Sequence, residues 1–336
     1  MAESVFEASQ WDSLYPYQQE KLHREYLDYL SQNKESGKYV IDKCPKCGSD
    51  DPCFTKSGFS NSGKQMVRCH KCGKRIVVDH GQLTYYSHQD QSKWDQLIED
   101  TFTLVPEMET AAKLDVSPYT AWRMRMKLLH ALEAIVSDTV IADEVEMDEK
   151  YVMNSHKGLG IEGVKPRHRG EAASKPGLSN EKICIATGVQ RLGPSVLMAT
   201  NTGNPSSEDL LKLSSHLAEN SLVWVDGKTS YNALLKEKNC EARVVGDHKT
   251  YTSVDHLNNV NSFHSMIDGW YRKYRGVASK YLNRYCSLFT LIREYMGCDI
   301  QEILLGIKTK LRAIKDFFYI RQMSVFRKRK FLNPQA

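Results

Sequence analysis

Two Cys-x-x-Cys knuckles, Cys44-Pro-Lys-Cys47 and Cys69-His-Lys-Cys72, constrain the N-terminal part of this chain more tightly than any other feature. Glycine follows each one, Gly48 and Gly73. Four thiolates at this spacing suit one tetrahedral Zn²⁺. The glycines let the backbone turn so that its amides face sulfur. Between the knuckles the sequence is a polar hairpin with few apolar residues, so residues 41–80 read as a zinc ribbon whose metal supplies much of the folding energy. Cys53 and His70 fall outside that ligand set. The other cysteines (Cys184, Cys240, Cys286, Cys298) are scattered, and nine is an odd total, which argues against a disulfide framework. The N-terminus lacks a charged-then-apolar leader pattern and no apolar run is long enough to span a bilayer, so the expected setting is cytoplasmic, away from membranes. Lys46, Lys56, Lys64, Arg68, Lys71, Lys74 and Arg75 make the ribbon basic, as a nucleic-acid contact would require.

Residues 1–40 read as a helical segment: Trp11, Leu14, Tyr15, Leu22, Tyr26, Leu27 and Leu30 recur at roughly helical spacing, and no chemistry is legible there. Residues 90–136 read as a helix-turn-helix. Ala111, Ala112 and Leu114 end one helix, Asp115-Val116 turns, and Ser117-Pro118 supplies an N-cap and a first-turn proline for the next. Ser117, Tyr119, Thr120 and Arg123 are the candidate DNA-contacting residues, with Arg125 or Lys127 beside them on the exposed side and Trp122, Met126 and Leu129 inward. A polar, arginine-bearing start is what a recognition helix presents to the major groove, and an ordinary helix pair shares that pattern.

From residue 141 to 298 the pattern changes to an α/β one. Val145–Val152 is a strand carrying Asp148, followed by a loop rich in Gly, Lys and Arg from Lys157 to Gly177. Short strands at Ile183–Val189 and Ser195–Thr200 precede an amphipathic helix over Ser206–Asn220 with Leu210, Leu211, Leu213 and Leu217 inward. Leu222-Val223-Trp224-Val225 then forms a buried strand that delivers Asp226, followed at once by Gly227. That aspartate is either a catalytic group held on a rigid strand or the first residue of an Asp-Gly turn. Ala242–Val245 is a further strand, and a helix begins near Asn259. Three strands, a helix, two more strands and closing helices follow the order of an RNase H-like mixed-sheet core. In such a core, carboxylates on adjacent strands can bridge divalent ions for phosphoryl transfer. Mg²⁺ or Mn²⁺ suits oxygen ligands and open positions. Residues 299–336 form a basic helical tail; from Lys308 to Lys330 it carries Lys308, Lys310, Arg312, Lys315, Arg321, Arg327, Lys328, Arg329 and Lys330 against one acid, Asp316, which reads as a polyanion contact or a solvated tail.

The knuckles, the helix pair, MDEKYV around Asp148, VDGKTSY around Asp226 and the stretch HLNNVNSFHSMIDGWYRKYRGVASKYLNRY from His256 to Tyr285 together resemble the insertion-sequence transposases with an ISXO2-like DDE domain, the IS1595 family. The likeness runs from about Lys43 to Tyr295. It implies a DNA transposase that binds the element's terminal inverted repeats, cleaves a strand with Mg²⁺ and joins the freed 3′-hydroxyl to target DNA. Implied partners are double-stranded DNA, both element ends and target, and further copies of the chain assembled on it, in the nucleoid of a bacterium. Asp148 and Asp226 match the family's first two acids. The third position is Asn261, where many members carry Glu; its carbonyl oxygen can still ligate Mg²⁺ or orient water. Asp268 stands where a basic residue is common, and Asn261, His264, Ser265 and Asp268 share a helix face. His256 and Asn258 also match the pattern, either at the site's edge or as a turn and cap. These departures keep a second reading open: a relative without catalysis, retained as a sequence-specific DNA-binding protein. A nuclease without strand transfer would use the same acids.

Overall fold

The computed structural model describes residues 44–49, 54–61, 63–80, 82–85, 87–157, 171, 173–174, 177–246, 251–274 and 277–313. The N-terminal segment, Cys53, most of the 157–177 loop and the tail beyond 313 lie outside the described residues. The chain divides into two compact units, Met1–His80 and Gly81–Ala336.

In the first unit, β1 (Phe54–Phe59), β2 (Gln65–Cys69) and β3 (Arg75–Val77) form an antiparallel sheet in sequence order. Its buried apolar set is small: Cys44, Val67, Cys69 and Ile76. Among the described residues of the ribbon, so little apolar area offers weak support to the fold, which is where a bound metal adds most.

The second unit opens with three helices. α1 (Gln91–Phe102) starts at Asp90, whose side chain accepts the Lys93 N–H; α2 is Glu107–Lys113; α3 is Pro118–Val136. Ser117 caps α3 through the Thr120 N–H at 3.1 Å, with Pro118 in the first turn, as its sequence predicts. Met126 and Leu129 are buried as expected, and Trp122 is half-buried. Arg125 and Lys127 are not on the exposed side. Arg125 is 1% exposed, and its guanidinium donates to the Val105 carbonyl (3.0 Å) and the Thr110 hydroxyl (2.8 Å). Lys127 donates to the Tyr85 carbonyl. The cause lies in the helical period: Arg125, Leu128, Leu129 and Leu132 occupy one stripe at helical spacing, and that stripe faces the core.

A five-stranded mixed sheet follows. It comprises β4 (Glu144–Met153), β5 (Lys182–Gln190), β6 (Ser195–Thr202), β7 (Leu222–Val225) and β8 (Glu241–Val244), in the order β6-β5-β4-β7-β8. The first three strands pair antiparallel, while β7 joins β4 and β8 joins β7 in parallel. That connectivity is the one an RNase H-like core requires. Val145, Met147, Val223 and Val225 point to one face, where they pack with Leu210, Leu213, Leu217, Tyr231, Leu234 and Leu235. The last three lie on or beside α5 (Asn232–Glu237). The opposite face carries Val152, Ile183, Ile185 and Trp224 against α3, α6 (Asn258–Lys273) and α7 (Leu282–Glu294).

The amphipathic helix expected over 206–220 is shorter than predicted. α4 covers Ser207–Leu211, a single 3₁₀ turn follows at Ser214–His216, and Leu217 is extended. Ile141 pairs with Leu217 there, its N–H bonding to the His216 carbonyl (2.9 Å) and its carbonyl accepting the Ala218 N–H (2.9 Å). Those backbone groups are committed to a strand-like partner and cannot also close helical turns. The leucines still face inward, so their hydrophobic spacing survived the change of backbone. α8 (Ile300–Ala313) buries Ile307 and Leu311, and Lys308 bonds Asp95 on α1 at 2.6 Å. The described start of the basic tail is therefore a packing helix. No helix among the described residues is long and apolar enough to cross a membrane.

Candidate active site

The parallel register between β4 and β7 aligns Glu146 with Trp224. Asp148 and Asp226 each lie two residues further along, so strand alternation sends both to the same face, Asp148 from the middle of β4 and Asp226 from just past the end of β7. β7 stops at Val225, which leaves Asp226 exposed just past the strand's C-terminal end with Gly227 next. Gly227 has φ +86°, and a Cβ there would meet Val244 at 2.9 Å, so the sharp turn after the acid requires glycine.

A third carboxylate joins them. One oxygen each from Asp148, Glu149 and Asp226 lie within 4.8 Å of one another. Glu149 projects from β4 on the face opposite Asp148, toward Tyr231, yet β7 is short enough for the two to meet around its end. The Lys228 ammonium sits between the three acids. It contacts Glu149, lies 2.9 Å from Asp226 and reaches 4.0 Å from Asp148. Burial lifts the Asp148 carboxyl to about 6, with the charges of Glu149 and Asp226 adding to the rise and Lys228 opposing it. Burial works against the Lys228 charge, but its bonds to Glu149 and Asp226 more than offset that and hold the ammonium above its ordinary range. Glu149 Oε1 is buried without a hydrogen-bond partner. Sequence alternation hid Glu149 from prediction, since adjacent strand residues normally serve different faces. Lys228 stood in VDGKTSY with nothing to mark it.

α6 carries Asn261. Its amide reaches the Tyr251 hydroxyl at 3.4 Å. One turn on, His264 is 7% exposed, bonded through Nε2 to the Thr187 hydroxyl (2.9 Å), with Nδ1 3.8 Å from Asp148. Burial, and then Lys150, push the imidazole down to about 4, so it is neutral at physiological pH. Ser265 bonds the Asn261 carbonyl (3.1 Å). Asp268 pairs with Lys150 of β4 at 2.6 Å. A strand lysine two residues beyond Asp148 thus complements the acid at that helix position. Asp255 accepts from the Trp224 indole (3.0 Å) and faces Arg243, outside the cluster.

Beneath the acids lies a buried ionic node. Glu146, with its side chain fully buried, accepts from Arg191 Nε (2.9 Å), from the Asn259 side chain (2.7 Å) and from the backbone N–H groups of Asn259 (2.8 Å) and Val260 (3.1 Å). Arg191 stacks on the Trp224 ring at 3.8 Å and donates to the His256 carbonyl (3.1 Å). His256 Nδ1 lies 3.2 Å from Glu146. Asn258 is the first residue of α6 and is exposed.

Residues 140–290, from just before β4 into α7, match the family described as the ISXO2-like transposase domain. A search of curated proteins found no match. Among solved structures, the crystal structure of a pre-cleavage Mos1 transpososome shares 12% identity over 67% of this chain and 75% of that one, at a TM-score of 0.25. A likeness that loose carries no weight for this chain.

Outside residues 140–290, the ribbon cysteines meet as predicted. Cys44 and Cys72 sulfurs are 3.5 Å apart and those of Cys47 and Cys69 3.9 Å, far beyond a disulfide. Metal–sulfur bonds of about 2.3 Å around one tetrahedral ion would separate sulfurs by about 3.8 Å, so this donor set fits Zn²⁺. The Gly48 and Gly73 amides bond back to the Cys44 and Cys69 carbonyls (2.9 and 2.8 Å), both glycines at positive φ. Burial opposes ionisation of Cys44, but the amides of Cys47 and Lys46 and the neighbouring thiols hold it down to about 6. At the start of α3, Tyr119 is exposed and stacks on Trp122 with ring centroids 5.8 Å apart, and Arg123 lies over the Tyr119 ring at 5.6 Å. Ser117 and Thr120 hydroxyls bond each other at 2.9 Å, so part of their capacity serves the cap.

Proposed function

We propose that this chain is an insertion-sequence DNA transposase whose ribbon and α2–α3 pair hold the element's terminal inverted repeats and whose ISXO2-like domain cleaves and joins DNA strands. The observation that carries the reading is the pair Asp148 and Asp226, level on the neighbouring parallel strands β4 and β7, with Asp148 half-buried and Asp226 exposed just past the end of β7. In this reading Asp148, Asp226 and Asn261 hold Mg²⁺ or Mn²⁺, and Cys44, Cys47, Cys69 and Cys72 hold Zn²⁺. The catalytic ion, when bound, supplies Lewis-acid polarisation of the phosphate and a more acidic bound water. Lys228 relieves repulsion among the three carboxylates gathered there. Neutral His264 braces Asp148 without adding charge. Asn261 contributes a carbonyl oxygen for the ion or its water. Tyr119, Thr120 and Arg123 provide the polar face of the recognition helix, with Ser117 holding its start.

The deciding experiment incubates purified protein and Mg²⁺ with DNA carrying the element's own ends and follows nicked and joined products. Cleavage followed by joining is expected, with Asp148→Ala and Asp226→Ala inactive but still bound to ends. Failure of the parent protein in both Mg²⁺ and Mn²⁺ overturns the catalytic reading. One observation favours that second outcome, a DNA-binding relative without catalysis: a lysine ammonium already neutralises the acids, and the third position is a neutral amide.

A further inference from the structure

We propose that Glu146 is a positioning residue that sets where Asn261 stands relative to Asp148 and Asp226. The inference rests on the catalytic reading above. α6 has no N-cap side chain of its own, because Leu257 occupies the cap position with φ −116° and ψ 31°. The first-turn N–H groups of a helix need acceptors, and a negative charge there is favoured by the helix dipole. Glu146 meets that need from across the sheet: one carboxylate oxygen takes both the Asn259 and Val260 N–H groups, and the other takes the Asn259 amide. A helix start is thereby fastened to the strand that carries Asp148, at a point two residues below it.

The same carboxylate reaches the second acid. Arg191 bonds Glu146 and lies flat on Trp224, which precedes Asp226 by two residues just as Glu146 precedes Asp148. One ionic node therefore ties both acid-bearing strands and the start of α6 together on a single face. Asn261 follows Val260 directly, so a shift or rotation of the helix start carries Asn261 with it. Asp148 and Asp226 are held by the sheet itself and need no such anchor. A buried ion pair alone would be weak warrant for a role in the reaction. What gives this one a role is the convergence of its partners on the three elements that carry the candidate site.

The test uses the full-length chain and Glu146→Gln, which keeps the shape but turns an amide N–H toward the helix donors. With the fraction folded measured by circular dichroism, kcat for end cleavage is expected to fall about 10²-fold, the scale of an ångström-size misplacement. End-DNA affinity should stay unchanged. Backbone exchange at Asn259 and Val260 should quicken while exchange within β4 does not. Full kcat per folded molecule overturns the proposal, and so does a loss shared equally by end binding. Should Glu146→Gln fail to fold, Asn259→Ala removes one bond from the node at a half-buried position. It should lower kcat several-fold in the same sense, and an unchanged kcat overturns the proposal. If the parent chain never cuts, the catalytic reading fails separately. The exchange measurement then still decides the anchor: unchanged protection of Asn259 and Val260 in Glu146→Gln overturns it.

Discussion

Three carboxylates gathered around one ammonium make Lys228 an informative residue to change. In Lys228→Met the acids lose their neutralising partner and repel, so the variant should melt lower than the parent without divalent metal. Mg²⁺ should then raise its melting temperature more than it raises the parent's, because a ligand stabilises in proportion to how much better it binds the folded state. Equal shifts in the two proteins would show that the ammonium and the metal do not share these acids. Asp209 offers a test far from the site. It completes a capping box with Ser206 at the start of α4. Burial would raise its carboxyl, but bonds from Lys212, Ser206 and Asn201 draw it down to about 2. Its folded value lies below that of an unfolded aspartate, near 3.9. The stabilisation is therefore complete above about pH 4 and disappears as pH falls toward 2, amounting to about 2 kcal/mol. Asp209→Asn should lower stability at pH 7 and flatten this acid limb in urea titrations followed from pH 7 to pH 2.

Among the elements, α3 is where the DNA reading is most exposed to test. Arg123→Ala should reduce preference for the element's end over random DNA by about 1–3 kcal/mol if the side chain reads bases. An equal loss on both DNAs in a binding titration would make it a phosphate contact. Most elements were legible in the sequence. β5 and β7 announce themselves as buried runs rich in β-branched residues, β4 as a strand carrying acids, and Ser117-Pro118 marks the start of α3 to the residue. What escaped prediction did so for long-range reasons. Arg125 looked exposed because charge outweighed helical phase in the reading, whereas its partners Val105 and Thr110 only become neighbours once α2 folds back. The helix over 206–220 failed at Leu217, which Ile141 claims for a strand-like bridge from a distant part of the chain. At the site, Asp148 and Asp226 could be chosen from strand pattern. Glu149 could not, since its approach depends on where β7 ends. Glu146 gave no local sign either, because the helix it caps begins over a hundred residues later.

For the molecule as a whole, the two units make separable predictions. Metal analysis should find about one zinc per chain. Chelation, or Cys47→Ser, should abolish the cooperative transition of the first unit and weaken DNA binding while the 81–336 unit still melts as before. The apolar cluster of the ribbon is too small to hold it otherwise. DNA affinity should also fall steeply between low and physiological salt, as counterion release demands.

The parallel pairing of β4 with β7 has a consequence in time as well as in space. Asp148 leaves the ribosome long before Asp226, with β5, β6 and α4 made in between, and Asn261 and the helix start that Glu146 fastens come later still. Contacts of such sequence separation form slowly, and chains are made at about 5–20 residues per second. The unfinished chain thus carries a helix pair able to fold early and a pair of acids that cannot yet meet. The candidate site assembled this way is incomplete during synthesis, until the last strands are paired and α6 has docked.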